Sequence, residues 1–139
     1  MKAKLNCILL IDDSAADNFL HSRVIRKAEV TERVVDYADA REALAFLQEE
    51  VEGGHYPKPD IIFLDINMPG MDGWEFLDEY HRLPESCKAG VVICMLTTSF
   101  AEKDRLKAEE YDLAKGYTNK PLTKDKLMEL IQSHYPQLF

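Results

Sequence analysis

The sequence predicts an α/β fold in which one parallel sheet is covered by helices on both faces. Nearly continuous apolar runs, typical of strands buried on both faces, alternate with segments of helical periodicity. Strands that are joined through helices pair in parallel with right-handed crossovers. The length of 139 residues suits a single core, so we expect residues 1–139 to form one domain.

Five strands are predicted from the apolar runs. Four occupy residues 5–11, 34–37, 60–64 and 90–96, and a shorter fifth surrounds Tyr117. These four runs are short and nearly continuously apolar, which is the pattern of strands buried on both faces.

Helical periodicity defines the segments between the strands. Three apolar stripes are formed by Ala16, Leu20, Val24 and Ala28, by Ala40, Ala43, Leu44, Leu47 and Val51, and by Leu127, Leu130 and Ile131. Two further helices are predicted at residues 74–82 and 101–111, the second anchored mainly by Leu106. Asp39, Ser99 and Thr123 are placed to cap helices.

The charge balance excludes several classes of partner. The chain has 17 Lys and Arg against 25 Asp and Glu, a formal charge of −8, whereas nucleic acids and anionic membranes attract basic surfaces. No apolar run approaches the ~18 to 20 residues of a membrane span. The three cysteines lack the spacing of a disulfide framework or a zinc site. We therefore expect a cytoplasmic protein that binds neither nucleic acid nor membrane.

Polar side chains follow four of the predicted strands. They are Asp12 and Asp13 after the first, Asp65 after the third, Thr97 and Thr98 after the fourth, and Lys120 after the fifth. In open parallel sheets the functional site lies beyond the carboxyl ends of the strands. Three carboxylates, a hydroxyl and an ammonium are therefore predicted to meet at one edge of the sheet.

Such a cluster of carboxylates implies a cation, because adjacent carboxylates repel each other in a crevice of low dielectric constant. Hard oxygen ligands at a partly open edge suit Mg²⁺. Lys120 would hold a phosphoryl oxygen as a point charge. Asp65, central in the predicted arrangement, is best placed to attack a phosphoryl group, since that chemistry depends mainly on positioning and charge neutralisation.

These residues resemble the receiver domain of bacterial two-component response regulators. The resemblance rests on residues 11–13 (IDD), 64–73 (LDINMPGMDG), 96–97 (LT) and 120–121 (KP), and it extends over residues 5–134. It implies a CheY-like, flavodoxin-like (βα)5 sandwich with strand order 2-1-3-4-5. Because the sequence ends about where the fifth helix should end, we expect a stand-alone receiver domain without an output domain.

The resemblance implies a role for each residue of the predicted site. Asp65 matches the phospho-accepting aspartate. Asp12, Asp13, Asp65 and the backbone carbonyl of Asn67 match the groups that bind Mg²⁺. Lys120 matches the lysine that contacts the phosphoryl group. The phosphoryl donor would be a histidine kinase or a phosphotransfer histidine.

A conformational switch is implied as well. Thr97 and Tyr117 match the pair that rearranges on phosphorylation, and the Lys120–Pro121 bond matches a peptide bond that is usually cis. The rearranged surface would contact a protein target, or the phosphoryl group would pass to another protein. The protein would then be a phospho-accepting signalling protein, with at most a slow autophosphatase activity. The oligomeric state is left open.

Two departures and three alternatives accompany this interpretation. Thr98 stands where many receivers have Ala or Gly, which would narrow access to Asp65, while Asn67 and Ser99 occupy positions that tune dephosphorylation.

A phosphatase of the haloacid dehalogenase type needs a second aspartate at the position of Asn67. A flavodoxin needs a phosphate loop rich in Ser, Thr and Gly after the first strand, where Asp12 and Asp13 would repel the flavin phosphate. An unphosphorylated scaffold would not need the three carboxylates, the hydroxyl and the ammonium of the predicted site to be all present.

Overall fold

A single parallel sheet forms the centre of the protein in a computed structural model that describes residues 4–49, 56–88, 92–98, 102–110 and 114–138. Its strands are β1 (Leu5–Ile11), β2 (Thr31–Tyr37), β3 (Ile61–Leu64), β4 (Val92–Thr97) and β5 (Ala114–Asn119). All neighbours pair in parallel in the order β2-β1-β3-β4-β5. The predicted α/β fold class and the strand order 2-1-3-4-5 are confirmed.

Six helices connect and flank the strands within the described ranges. They are α1 (Ala15–Ala28), α2 (Ala40–Leu47), α3 (Gly73–His81), α4 (Glu85–Lys88), α5 (Glu102–Glu109) and α6 (Lys124–His134), followed by a short 3-10 turn at Pro136–Leu138. The single turn α4 was missing from the sequence prediction of five helices. Its four residues are too few to show a helical period. None of the described helices is long and apolar enough to cross a membrane.

Two clusters of buried side chains lie on opposite faces of the sheet. Alternate residues of β1 contribute to them: Leu9 and Ile11 pack with side chains of α2 and α3, whereas Ile8 and Leu10 pack with those of α1 and α6. A strand in the middle of a sheet covered on both faces has no solvent-facing side. The continuous apolar run of β1 follows from that position.

The predicted apolar stripe of α1 is wrong. Leu20, which belongs to that stripe, is 50% exposed, and the buried residues of α1 are Asn18, His21, Ser22 and Ile25. Asn18 Nδ2 donates to the backbone carbonyl of Asp12 at 2.8 Å. Because this hydrogen bond draws a polar face of the helix onto the sheet, Ala16 and Leu20 of the predicted stripe are exposed, whereas Ala28 packs against the core.

The expected anchor of α5 is also wrong. Leu106 is 52% exposed, so it does not anchor the helix in the core. A cation–π contact links α5 to α3, since Lys107 Nζ lies 5.1 Å from the centroid of the Trp74 ring. Trp74 itself is buried in the core.

Side-chain caps determine where the helices begin. Asp39 and Thr123 accept hydrogen bonds from backbone N–H groups at the starts of α2 and α6, as predicted. Ser14 caps α1, and Asp72 caps α3 in a reciprocal capping box. The predicted cap Ser99 lies outside the described residues. Caps that follow β1 and precede α3 also shape the loops at the edge of the sheet where the polar residues meet.

Gly73, the first residue of α3, packs against the backbone that carries Asp65. A Cβ at this position would lie 2.7 Å from the carbonyl oxygen of Asp65 and 2.9 Å from Cα of Ile66. Backbone atoms cannot move aside as a side chain can. Gly73→Ala is therefore expected to lower the free energy of unfolding by about 1 to 3 kcal/mol, measured by urea denaturation. An unchanged unfolding midpoint would contradict this close approach.

Candidate functional site

The site lies at the carboxyl ends of the strands, as the topology predicts. Asp12, Asp65 and Lys120 are the first residues after β1, β3 and β5. Their backbone N–H groups donate to the carbonyl of the last residue of a neighbouring strand, at 3.1, 2.9 and 2.6 Å respectively. The backbone of each residue thus adds one hydrogen bond to the sheet, and this bond fixes the position from which the side chain projects.

Three carboxylates form the negative part of the site. Asp12, Asp13 and Asp65 each offer an oxygen atom, and these three atoms lie within 4.8 Å of one another. Asp12 and Asp65 are buried, whereas Asp13 is exposed. The sequence predicted this convergence, and the strand order accounts for it, because β1 and β3 are neighbours.

Burial and repulsion make ionisation of Asp65 costly in the metal-free protein. Burial is the larger cause and the negative charge of Asp12 the second, and together they raise the pKa of Asp65 from 3.8 to about 6. Two groups act in the opposite direction: the Lys120 ammonium and the backbone N–H of Asn67, which donates to the Asp65 carboxylate. The net shift indicates that burial and the neighbouring carboxylates together outweigh the stabilisation that Lys120 and the Asn67 N–H give to the ionised form.

Lys120 is the cation of the cluster. Its Nζ lies 2.6 Å from Asp12 Oδ2 and 3.7 Å from Asp65 Oδ2, and it donates to Asp17 Oδ2 at 2.9 Å. Burial acts to lower the pKa of Lys120, but its close contacts with the Asp12 and Asp17 carboxylates and the negative charge of Asp65 together outweigh burial and raise that pKa above its ordinary value. Lys120 is therefore positively charged at neutral pH.

Thr97 ends β4 directly beside the cluster. Its side chain is fully buried, and Oγ1 has no hydrogen-bond partner among the residues that the structure describes. A buried hydroxyl without a partner costs free energy unless a ligand supplies one. The following residue, Thr98, is exposed.

The remaining predicted site residues lie around this centre. Asn67 is exposed in the loop after β3, and the role of its carbonyl stays a prediction. Tyr117 lies opposite Met95 in the β4–β5 pair and is 51% exposed. The Lys120–Pro121 peptide bond is cis.

Two contributors at the start of α1 were missed by the sequence analysis. Asp17 binds Lys120, and Asn18 is buried against the carbonyl of Asp12. An aspartate in the first turn of a helix ordinarily interacts with the helix dipole, so its residue type gave no reason to assign Asp17 to the site. The spacing does contain a signal, because residue 17 lies one helical turn after Asp13.

The donor set fits a small, hard divalent cation. All three clustered groups are carboxylates, neither His nor Cys takes part in the cluster, and Mg²⁺ prefers one or two carboxylates together with water and phosphate oxygens. The raised pKa of Asp65 is relieved when a cation binds. Asp12, Asp13 and Asp65 are thus the residues that would hold the ion.

The affinity for Mg²⁺ is expected to decrease as the pH falls. Asp65 must lose its proton to bind a metal ion, and its pKa in the metal-free protein is about 6. Between pH 7.5 and pH 5 the affinity should therefore fall about tenfold, measured by calorimetric titration. Asp65→Asn should remove most of this pH dependence, and equal affinities at the two pH values would contradict the assignment of Asp65 as a ligand.

Comparisons with known proteins agree over nearly the whole chain. The profile of the response regulator receiver domain family matches residues 8–132. Response regulator Rcp1 of Synechocystis is 34% identical over 130 residues, which cover 92% of this chain and 87% of that protein. A two-component response regulator from Cytophaga hutchinsonii superposes with a TM-score of 0.85 at 34% identity, covering 96% of this chain and 99% of the other. The chemotaxis protein CheY4 of Vibrio cholerae gives a TM-score of 0.75 at 28% identity, with coverages of 94% and 98%.

Proposed function

Because the chain belongs to the receiver domain family of two-component response regulators, we propose that Asp65 accepts a phosphoryl group in a reaction that depends on Mg²⁺. Membership of the family implies signalling through phosphorylation. The observation that carries the assignment to Asp65 is its environment. It is a buried carboxylate with a raised pKa that faces one ammonium and two further carboxylates.

The transfer is a nucleophilic displacement at phosphorus. An oxygen of the Asp65 carboxylate forms a bond to phosphorus while the bond between phosphorus and an imidazole nitrogen of the donor breaks, and its electron pair stays on that nitrogen. Lys120 donates hydrogen bonds to the phosphoryl oxygens. Asp12, Asp13, Asp65 and the Asn67 carbonyl would hold Mg²⁺, which would supply positive charge to offset the negative charge of the transferred group.

A phosphorylated Asp65 would bias a conformational equilibrium through Thr97. The Thr97 hydroxyl is buried without a partner among the described residues, and a phosphoryl oxygen supplies the acceptor that it lacks. Tyr117 lies on the neighbouring strand, two residues from the position opposite Thr97. Its side chain is half exposed in the present conformation, so movement of Thr97 would alter how Tyr117 packs.

The receiver family implies an interaction with a histidine kinase or a phosphotransfer protein. We assign the role of phosphoryl donor to that partner. The output is either contact of the surface around Tyr117 with a protein target or onward transfer of the phosphoryl group to a histidine. Both outputs use the same acyl phosphate at Asp65, and the proposal does not depend on which of them applies.

Intact mass after incubation with acetyl phosphate tests the proposal. With Mg²⁺ the protein should gain the mass of one phosphoryl group, and without Mg²⁺ the gain should be at least tenfold smaller, because the negative charges of the site then repel the donor. A buffer that contains EDTA and no added Mg²⁺ is used for the measurement without metal. A protein that binds Mg²⁺ yet gains no mass under these conditions would contradict the proposal.

A further inference from the structure

We propose that Asp17 is a positioning residue: it holds the Lys120 ammonium in the unphosphorylated protein and competes for it with a phosphoryl group on Asp65. This inference rests on the proposed function and deepens it. Asp17 belongs neither to the clustered carboxylates nor to the residues that the family motifs match.

The ammonium lies closer to Asp12 and Asp17 than to Asp65. Lys120 Nζ is within hydrogen-bond distance of Asp17 Oδ2, at 2.9 Å, and 2.6 Å from Asp12 Oδ2, whereas Asp65 Oδ2 lies 3.7 Å away. The Lys120 side chain is only 10% exposed. Since few water molecules reach it, its N–H groups depend on these carboxylates.

Asp17 is held at this position by the start of α1. It is the third residue after the cap Ser14, and its backbone N–H donates to Ser14 Oγ at 3.2 Å. Its side chain is 37% exposed, in contrast to the buried Asp12 and Asp65. Asp17 does not belong to the group of carboxylates within reach of a common cation.

This difference determines what happens when a metal ion binds. Asp12, Asp13 and Asp65 would share a bound cation, and the neutralisation of their charge would weaken their attraction for Lys120. Asp17 lies outside that set and keeps its charge. A phosphoryl group on Asp65 must therefore draw Lys120 away from Asp17. Loss of the charge-assisted hydrogen bond to Asp17 lowers the net free energy gained from the contact between Lys120 and the phosphoryl group.

Removal of this competitor should strengthen binding of a phosphoryl mimic. The probe is beryllofluoride, titrated at saturating Mg²⁺ and followed by the ¹⁹F signal of the bound fluorides. Asp17→Asn and Asp17→Ala should each bind it about 3- to 10-fold more tightly than the wild type. Two variants are used because an asparagine oxygen can still accept a hydrogen bond from Lys120.

Asp125→Asn is the matched control. Asp125 also lies in the first turn of a capped helix, α6, so its loss removes one negative charge and one favourable dipole interaction of the same kind. It should leave the affinity within a factor of about two of the wild type. An equal gain for Asp125→Asn would show a general charge effect and would overturn the role of Asp17.

A double variant shows whether Asp17 acts through Lys120. In a Lys120→Met background, Asp17→Asn should change the affinity by less than a factor of about two, because the group that it positions is gone. A full gain in that background, or unchanged or weaker binding by both Asp17 variants alone, would overturn the inference. Failure of the wild type to bind beryllofluoride at all, or equal binding by Asp65→Asn, would instead overturn the proposed function itself.

Discussion

Replacing Asp65 by asparagine is expected to abolish phosphorylation and to stabilise the fold in metal-free buffer. Asparagine keeps the shape of the side chain but lacks the negative charge. That charge makes Asp65 a nucleophile, and its burial destabilises the fold. In the folded protein the pKa of Asp65 is about 6, compared with 3.8 for an unperturbed carboxyl. Because the folded pKa is the higher one, ionisation destabilises the fold progressively as the pH rises from about 4 to 6, by up to about 3 kcal/mol.

Urea denaturation at pH 4 and pH 7.5 separates this effect from others. Asp65→Asn should match the wild type at pH 4 and exceed its free energy of unfolding by about 2 to 3 kcal/mol at pH 7.5. Asp36→Asn, at an exposed aspartate of β2, is the control and should change stability little at either pH. A loss of stability for Asp65→Asn at pH 7.5 would mean that Lys120 already compensates the buried charge.

Replacing Lys120 by methionine is expected to slow phosphorylation of Asp65 by acetyl phosphate about 10- to 100-fold. A hydrogen bond between charged groups contributes about 1.5 to 3 kcal/mol, which corresponds to that range of rates. Methionine fills a similar volume without the charge. Among the described residues, Lys120 forms the site's ion pairs with Asp12, Asp17 and Asp65.

The initial rate of the mass increase at saturating Mg²⁺ measures this effect. Lys124→Met removes an exposed lysine at the start of α6 and should leave the rate within a factor of about two. A wild-type rate for Lys120→Met would show that Mg²⁺ alone supplies the positive charge needed for transfer. The role of Lys120 would then be limited to the unphosphorylated protein, in which it pairs with Asp12 and Asp17.

The arrangement of the sheet and the convergence of its strand ends were predictable from the sequence. Strands in the middle of a covered sheet must be apolar on both faces, and residues directly after such strands must meet at one edge. The backbone hydrogen bonds of Asp12, Asp65 and Lys120 show why the convergence is robust. Each of these residues extends the ladder by one position, so the strand order alone brings them together.

The faces of the helices were less predictable, for a physical reason. In α1 the buried face includes Asn18 and His21, and Asn18 donates to the backbone carbonyl of Asp12 beside the site. Hydrophobic periodicity assumes that apolar side chains face the core, and that assumption fails where the neighbouring surface is a polar site. The sequence analysis missed Asp17 for the same reason. Its contact with Lys120 joins residues 103 positions apart in the sequence.

Chemical trapping of the phosphorylated residue tests the central claim most directly. Borohydride reduces an acyl phosphate on aspartate to homoserine, which changes the mass of a single residue in a peptide digest. After phosphorylation with acetyl phosphate and Mg²⁺, we expect homoserine at position 65 and at no other aspartate. Homoserine at Asp12, Asp13 or Asp17, or unmodified aspartate at position 65 in a protein that has gained the phosphoryl mass, would contradict the assignment.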